Sequence, residues 1–234
     1  GDILTGLLQP EDSLLFVSAR APVKNESMLI DNLRMASAVC EALRKTSVQH
    51  LVYISSDAVY ADSDGDLDES SCAQPSSLHG LMHLAREVML RAAFKGPLCF
   101  LRPTLIYGVE DPHNGYGPNR FIRQLKKGED ILLFGEGEEK RDHVWIQDVA
   151  ELTCRVLCHQ STGFLNIATG TVVSFHEIAN KIIQLAPNSS QIKGSVRSGP
   201  MPHNGFRPFD PTATKIAFPD FSYTQLSDGL VKLW

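Results

Sequence analysis

The chain has 234 residues, 43% hydrophobic and 21% charged, the balance of an ordinary globular protein with one large domain or a domain and a small lobe. Its net charge of -5, with acids and bases mixed along the chain, argues against the clustered basic face of a nucleic-acid binder. No apolar run approaches the roughly 18 residues of a membrane span, and five scattered cysteines without a C-x-x-C pair point to a reducing cytoplasm.

In chain order, Leu14–Val17, His50–Ile54 and Leu98–Leu101 are short apolar runs bounded by polar or turn residues, the pattern of strands buried in a parallel sheet. Between them, Asn25–Lys45 carries Met28, Leu29, Leu33, Ala36, Val39, Cys40 and Leu43 at helical spacing. Leu81–Phe94 does the same with Leu81, Leu84, Ala85, Val88, Met89 and Ala92. Strand, helix, strand, helix, strand predicts a βαβ sheet with right-handed crossovers.

After Pro103 the glycines and prolines cluster. Helices are predicted at Asn119–Lys127, Ile146–Leu157 and Ser174–Ile183, the last opened by a Ser174/Glu177 capping box. Strands are predicted at Ile131–Phe134 and Phe164–Ile167. The stretch Pro187–Pro211 reads as loop with one strand near Ile192–Val196. Cys154 and Cys158, four apart in a predicted helix, read as two small helix-face residues rather than a metal pair, and no metal site is expected.

Hydroxyl and acidic residues gather at the end of the second strand, in Ser55-Ser56-Asp57-Ala58-Val59-Tyr60. Open parallel sheets bind ligands at the carboxyl ends of their strands, so this cluster reads either as a functional crevice or as a common Ser/Asp turn.

The order of further blocks narrows the choice. Val52 to Tyr60 resembles the V-Y-x-S-S-x-x-V-Y-G block of the extended short-chain dehydrogenase/reductase family. Leu101-Arg102-Pro103-Thr104-Leu105-Ile106-Tyr107-Gly108 resembles its L-R-P-x-x-V-Y-G block. Phe134–Gly137 with Arg141–Ala150, and then Phe164–Gly170, resemble the two blocks that follow. The branch is that of NAD(P)-dependent nucleotide-sugar epimerases and dehydratases.

The resemblance implies a Rossmann-type, doubly wound parallel α/β sheet over residues 1–107 and a smaller α/β substrate lobe over 108–234. It implies NAD or NADP as cofactor, a nucleotide-sugar as ligand and a homodimer formed through the two helices that start near Asn25 and Leu81. By the same resemblance Ser56 binds a substrate hydroxyl, and Asp57 stands where dehydratases place an acid, although the usual glutamate beside it is Ala58. Ser18, Ala19, Ser55, His83, Arg102, Pro103 and Thr104 would face the cofactor. Thr104, Asn119, Arg141 and Arg207 would face the substrate, the two arginines gripping its diphosphate as guanidinium forks do. Asp148 reads as a favourable charge at a helix N-terminus.

Two departures from the family stand out. Pro75-Ser76-Ser77-Leu78-His79-Gly80-Leu81-Met82-His83 falls on the motif P-x-S-x-Y-G-x-x-K, so His79 takes the catalytic tyrosine's place and His83 the lysine's. Three readings stay open. His79 replaces tyrosine as acid/base, for which an imidazole is well suited; or both positions have decayed and the protein binds without turnover; or the pair holds a metal. Decay is favoured because a neutral histidine cannot supply lysine's fixed charge.

The second departure is that no G-x-x-G-x-x-G loop occurs in the chain. By the resemblance, Leu14–Val17 corresponds to the family's fourth strand, which predicts a fragment, a truncated gene product or a partner-dependent remnant lacking roughly 60 residues, two strand–helix units. A monomer with a cooperative melt would count against that expectation. The leading function is a nucleotide-sugar epimerase/dehydratase-like protein; the alternative is an inactive binding or assembly protein on the same fold.

Overall fold

The computed structural model describes residues 2–185 and 190–234, so Pro187–Ser189 of the predicted loop lie outside the described residues. The elements follow in the order α1 (Asp2–Leu7), β1 (Ser13–Phe16), α2 (Glu26–Lys45), β2 (His50–Ile54), α3 (Leu78–Ala93), β3 (Leu98–Pro103), β4 (Leu105–Tyr107), α4 (Pro118–Lys126) and β5 (Ile131–Phe134). Then come β6 (Lys140–Trp145), α5 (Ile146–His159), β7 (Gly163–Ile167), β8 (Val172–Ser174), α6 (Phe175–Ile183), β9 (Ile192–Ser195), β10 (Phe206–Arg207), α7 (Thr212–Ala217) and α8 (Leu226–Leu233). The chain folds as two compact units. The first takes residues 1–61, 69–103 and 151–167; the second takes 62–68, 104–150 and 168–234.

The first unit is built on the parallel sheet β1-β2-β3-β7, as the α/β reading expects. Leu51 and Tyr53 alternate with Val52 along β2, and all three are fully buried, as in a sheet covered on both faces. Leu51, Tyr53 and Phe100 join Ala36, Val39, Cys40 and Leu43 of α2 and Leu90 of α3 in one core. Each fully buried leucine contributes about 2 kcal/mol by removal from water.

Helix α3 corrects the predicted apolar stripe. Leu81 and Val88 are exposed, while Met82, His83, Arg86, Glu87 and Leu90 face inward. The periodicity was ambiguous because this helix buries polar groups that satisfy one another, so hydrophobicity alone points to the wrong face. Cys154 and Cys158 are exposed on α5 and unbonded to any other cysteine.

In the second unit β6 lies between β10 and β4 and also pairs antiparallel with β8; β5 and β9 form a separate parallel pair. Phe121, Ile122 and Leu125 of α4, Trp145 of β6, Ile178 and Ile182 of α6 and Leu230 of α8 form its core. Ser174 closes the α6 capping box with Glu177, as the sequence predicts. The short β4, β8, β10, α7 and α8, and the strand at Lys140–Trp145, carry too little periodicity to be read from the chain.

Ser77 caps α3 by accepting from the Gly80 amide. Gly80 itself packs so tightly that an added Cβ would lie 2.0 Å from the Ala58 carbonyl oxygen and 2.7 Å from Pro75 Cβ. This contact sets the start of α3 against the 3₁₀ turn Asp57–Val59. Gly80→Ala is expected to destabilise the fold by about 1–3 kcal/mol, the range for overpacking a tight site, read as a fall in the urea midpoint at unchanged slope.

Candidate functional site

The first unit gathers Ser55, Ser56, Asp57, His79, His83 and Arg102 around the carboxyl end of β2, the end at which open parallel sheets bind ligands. Ser56 caps the 3₁₀ turn: its Oγ accepts from the Ala58 amide at 3.1 Å and donates to Asp57 Oδ1 at 3.3 Å. Asp57 is buried, and its charge acts on His79. His79 and His83, one helical turn apart, meet edge to face with centroids 4.8 Å apart.

The two imidazoles are not equivalent. Half-buried His79 takes the Val23 amide on Nδ1 at 3.5 Å, so in its neutral form the ring proton sits on Nε2. Burial lowers its pKa, partly opposed by Asp57. His83 is 5% exposed, and its Nδ1 shares a 2.8 Å hydrogen bond with the Tyr53 hydroxyl. Burial, with smaller contributions from His79 and Arg86, drives its pKa down to about 3. At neutral pH His83 is therefore uncharged and cannot do the work of a lysine ammonium. Among the described residues no group of three or more His, Cys, Asp or Glu side chains could hold a metal.

Ser55 and Arg102 are structural partners. Arg102 Nε and Nη2 donate to the two oxygens of Glu87 at 3.0 and 2.6 Å, and Ser55 Oγ donates to Glu87 Oε1 at 2.6 Å. All three are buried, and the Arg102 guanidinium lies over the Tyr60 and Phe164 rings. Pro103 ends β3. Ser18 and Ala19 are exposed just past β1, where Arg86 Nη1 holds the Ser18 carbonyl at 2.8 Å. The signal missed in the sequence here is Arg86 itself, a fully buried cation bonded to Asn32 and Ser18.

The second unit places Thr104, Asn119, Arg141 and Arg207. Thr104 Oγ1 donates to Asp142 Oδ1 at 3.0 Å, and Asp142 also accepts from the amides of Thr169, Gly170 and Thr171. Burial raises the Asp142 pKa against those hydrogen bonds. Asn119, in the first turn of α4, exchanges hydrogen bonds with the Gly108 backbone. Asp148 accepts from the Thr224 amide and hydroxyl, both at 2.8 Å, as well as standing in the first turn of α5.

Arg141 and Arg207 are register partners on the neighbouring parallel strands β6 and β10, so their side chains leave the same face of the sheet. Both are buried. Arg141 Nη1 meets Glu139 at 3.3 Å, and Arg207 Nη1 meets Asp62 at 3.1 Å and His203 Nδ1 at 2.9 Å. On the same strand His143, which sequence reasoning passed over, lines a cavity of about 80 Å³ with Thr169, Thr171, Tyr223 and Thr224.

With this geometry, the NAD dependent epimerase/dehydratase family model matches residues 17–168. The chain belongs to that family. It is 28% identical over 159 residues to the mouse dTDP-D-glucose 4,6-dehydratase, covering 66% of this chain and 44% of that relative. It is 25% identical over 205 residues to an uncharacterized UDP-glucose epimerase of Bacillus subtilis, covering 85% and 64%. The chain thus spans less than two thirds of the length of these curated relatives. Among solved structures, the fold matches the UDP-glucuronic acid 4-epimerase of Bacillus cereus, crystallised with UDP-glucuronic acid and NAD, at TM-score 0.87 and 21% identity over 98% of this chain and 76% of that one. The UDP-N-acetylglucosamine 4-epimerase of Methanobrevibacter ruminantium matches at TM-score 0.84 and 18% identity, covering 98% and 78%.

The buried histidines of this family member make its stability pH-dependent. His83 and His143 both fall to about 3, mainly by burial, from an ordinary value near 6.5. In that window the unfolded chain binds protons that the fold does not. Their contribution is therefore complete above about pH 6.5 and is lost as pH falls toward 3, with a slope of about 1.4 kcal/mol per pH unit for each histidine. Urea titrations across the acid range are expected to show a slope shallower by one proton in His83→Met; an unchanged slope would contradict the assignment.

Proposed function

We propose that the chain forms the nucleotide-sugar-binding part of an NAD(P)-dependent epimerase/dehydratase-type enzyme. The observation that carries this reading is the register pairing of Arg141 with Arg207. Two buried guanidiniums on one sheet face suit the two phosphates of a diphosphate, because buried charge is little screened and each fork binds two oxygens. Glu139 and Asp62 pair with these groups and orient them, and Asn119 at the start of α4 fixes the Gly108 backbone in the same unit.

Within the first unit, Ser56 carries a hydroxyl suited to a hydrogen bond, Asp57 tunes His79, and His79 can donate or take a proton at Nε2. The cofactor, NAD or NADP, comes with the family and supplies hydride transfer when bound. Exposed Ser18 and Ala19 fit a cofactor contact, but Ser55 and Arg102 are spent on Glu87 and His83 is neutral. The described residues therefore fit the cofactor incompletely. That misfit favours a second reading, a protein that binds sugar nucleotides without turnover.

Exposed Ile30 on α2 and Leu81 and Val88 on α3 support a homodimer through those helices. Five free cysteines support a cytoplasmic location. Among the described residues no helix is long and apolar enough to cross a membrane.

Native mass spectrometry of the chain with UDP-glucose and NAD⁺ or NADP⁺ is expected to retain the sugar nucleotide on a dimer. Arg141→Met is expected to weaken that binding at least tenfold, the loss of one charge-assisted contact. If conversion of the sugar is detected, His79→Ala should lower it by about 10²-fold or more. Binding without conversion by any cofactor selects the second reading. Failure to bind any sugar nucleotide overturns both.

A further inference from the structure

We infer that His143 and the N-terminus of α4 form one recognition element for a phosphorylated sugar that carries a free hydroxyl beside its phosphate, with His143 selecting for that hydroxyl. This deepens the nucleotide-sugar reading above and rests on it.

Helix α4 opens with Pro118, and its N-cap is Gly117, which has no side chain to close the first turn. The first-turn amides of a helix lack intrahelical acceptors, and the helix dipole places partial positive charge there. Asn119 does not return to those amides, since its side chain is spent on the Gly108 backbone. The end of the helix is therefore an anion-binding surface awaiting a second, shape-defining group.

His143 is that group. Its Nε2 lies 3.7 Å from the position that a Cβ on Gly117 would take. The residue is 6% exposed, and Nε2 has no hydrogen-bond partner. Nδ1 lies 3.2 Å from the Arg141 carbonyl oxygen, which can only accept, so Nδ1 carries the ring proton and Nε2 presents a bare lone pair. Burial, helped by the Arg141 charge, keeps the ring neutral. A buried acceptor without a donor leaves its desolvation uncompensated, and such groups in native proteins call for an explanation.

A lone pair repels a phosphate oxygen, whereas helix amides attract it. One ligand satisfies both if an anionic oxygen and a hydrogen-bond donor sit side by side on it, and on a sugar that donor is a hydroxyl. Gly117 makes room for it: at φ 130° it has a conformation suited to glycine, and a Cβ there would also press on Phe175 at 3.3 Å. Arg141, two residues earlier on the same face of β6, adds positive charge. In a nucleotide-sugar the required pairing exists twice, at the hexose C2 hydroxyl beside the anomeric phosphate and at the ribose hydroxyls.

His143→Phe keeps an aromatic ring edge-on to Phe175, where the centroids now lie 5.4 Å apart, and removes only the acceptor. Calorimetric titration of the whole chain would use UDP-glucose, UDP-2-deoxyglucose and the 2′-deoxyribose analogue of UDP-glucose. UDP-glucose is expected to bind His143→Phe about five- to tenfold more weakly, the loss of one hydrogen bond. One deoxy analogue should show the same loss on the unsubstituted chain and no further loss on the variant, which tells whether the hydroxyl belongs to the hexose or the ribose. Should the variant fold poorly, the ¹⁵N resonance of His143 Nε2 in the unsubstituted chain decides, since UDP-glucose must move it. Equal binding of UDP-glucose by both proteins, or a silent Nε2 resonance, overturns this inference and leaves the nucleotide-sugar reading standing. Failure of all three ligands to bind overturns the two together.

Discussion

The first unit depends on a carboxylate that never reaches water. Glu87, 1% exposed on α3, receives both arms of Arg102 from β3 and the hydroxyl of Ser55 from the end of β2. Two buried charges cost several kcal/mol each to desolvate, and only a bidentate, fully hydrogen-bonded arrangement offsets that. The arrangement fixes the rotation of α3 about its axis. Because Glu87 must face β3, Met82, His83 and Arg86 face inward with it, and Leu81 and Val88 are turned to the surface. The pair of histidines inherits its geometry from this ion pair rather than from apolar packing.

That same constraint explains where the sequence was readable and where it was not. The strands at β1, β2, β3 and β7 and the helix α2 announce themselves because most of their buried residues are apolar, Asn32, His50, Arg102 and Asn166 excepted, and the order of the family blocks added the α/β architecture. The inward face of α3 was hidden because its anchors are Glu87, Arg86 and His83, residues that hydropathy assigns to solvent. At the site, Ser56, Asp57, His79, Arg141 and Arg207 were named by motif. No motif reveals that Ser55 and Arg102 are consumed by Glu87, nor that Thr104 is bound to Asp142, because those facts arise from contacts distant in the chain. His143 was passed over because neither its strand nor its burial can be read from the chain; its unpartnered nitrogen beside Gly117 shows only in the structure.

Placed beside a family that works with a charged lysine, the site shows a consistent shift toward neutrality. His83 is held uncharged by its burial, and Arg86, whose charge acts on it, is turned toward the carbonyls of Ser18 and Asn32. Positive charge persists instead in the second unit, on Arg141 and Arg207. The histidine pair and the two buried arginines thus lie in separate units of the chain.

The way the chain is divided between its units carries a consequence for synthesis. Strand β7 pairs with β3 along residues 163–167, yet more than forty residues of the second unit are made between them. As the polypeptide leaves the ribosome, β3 emerges with its far edge unpaired and stays so until β7 follows. An open edge of that kind is a template for pairing with a neighbouring chain. The interval between the two strands is thus a window of vulnerability during translation.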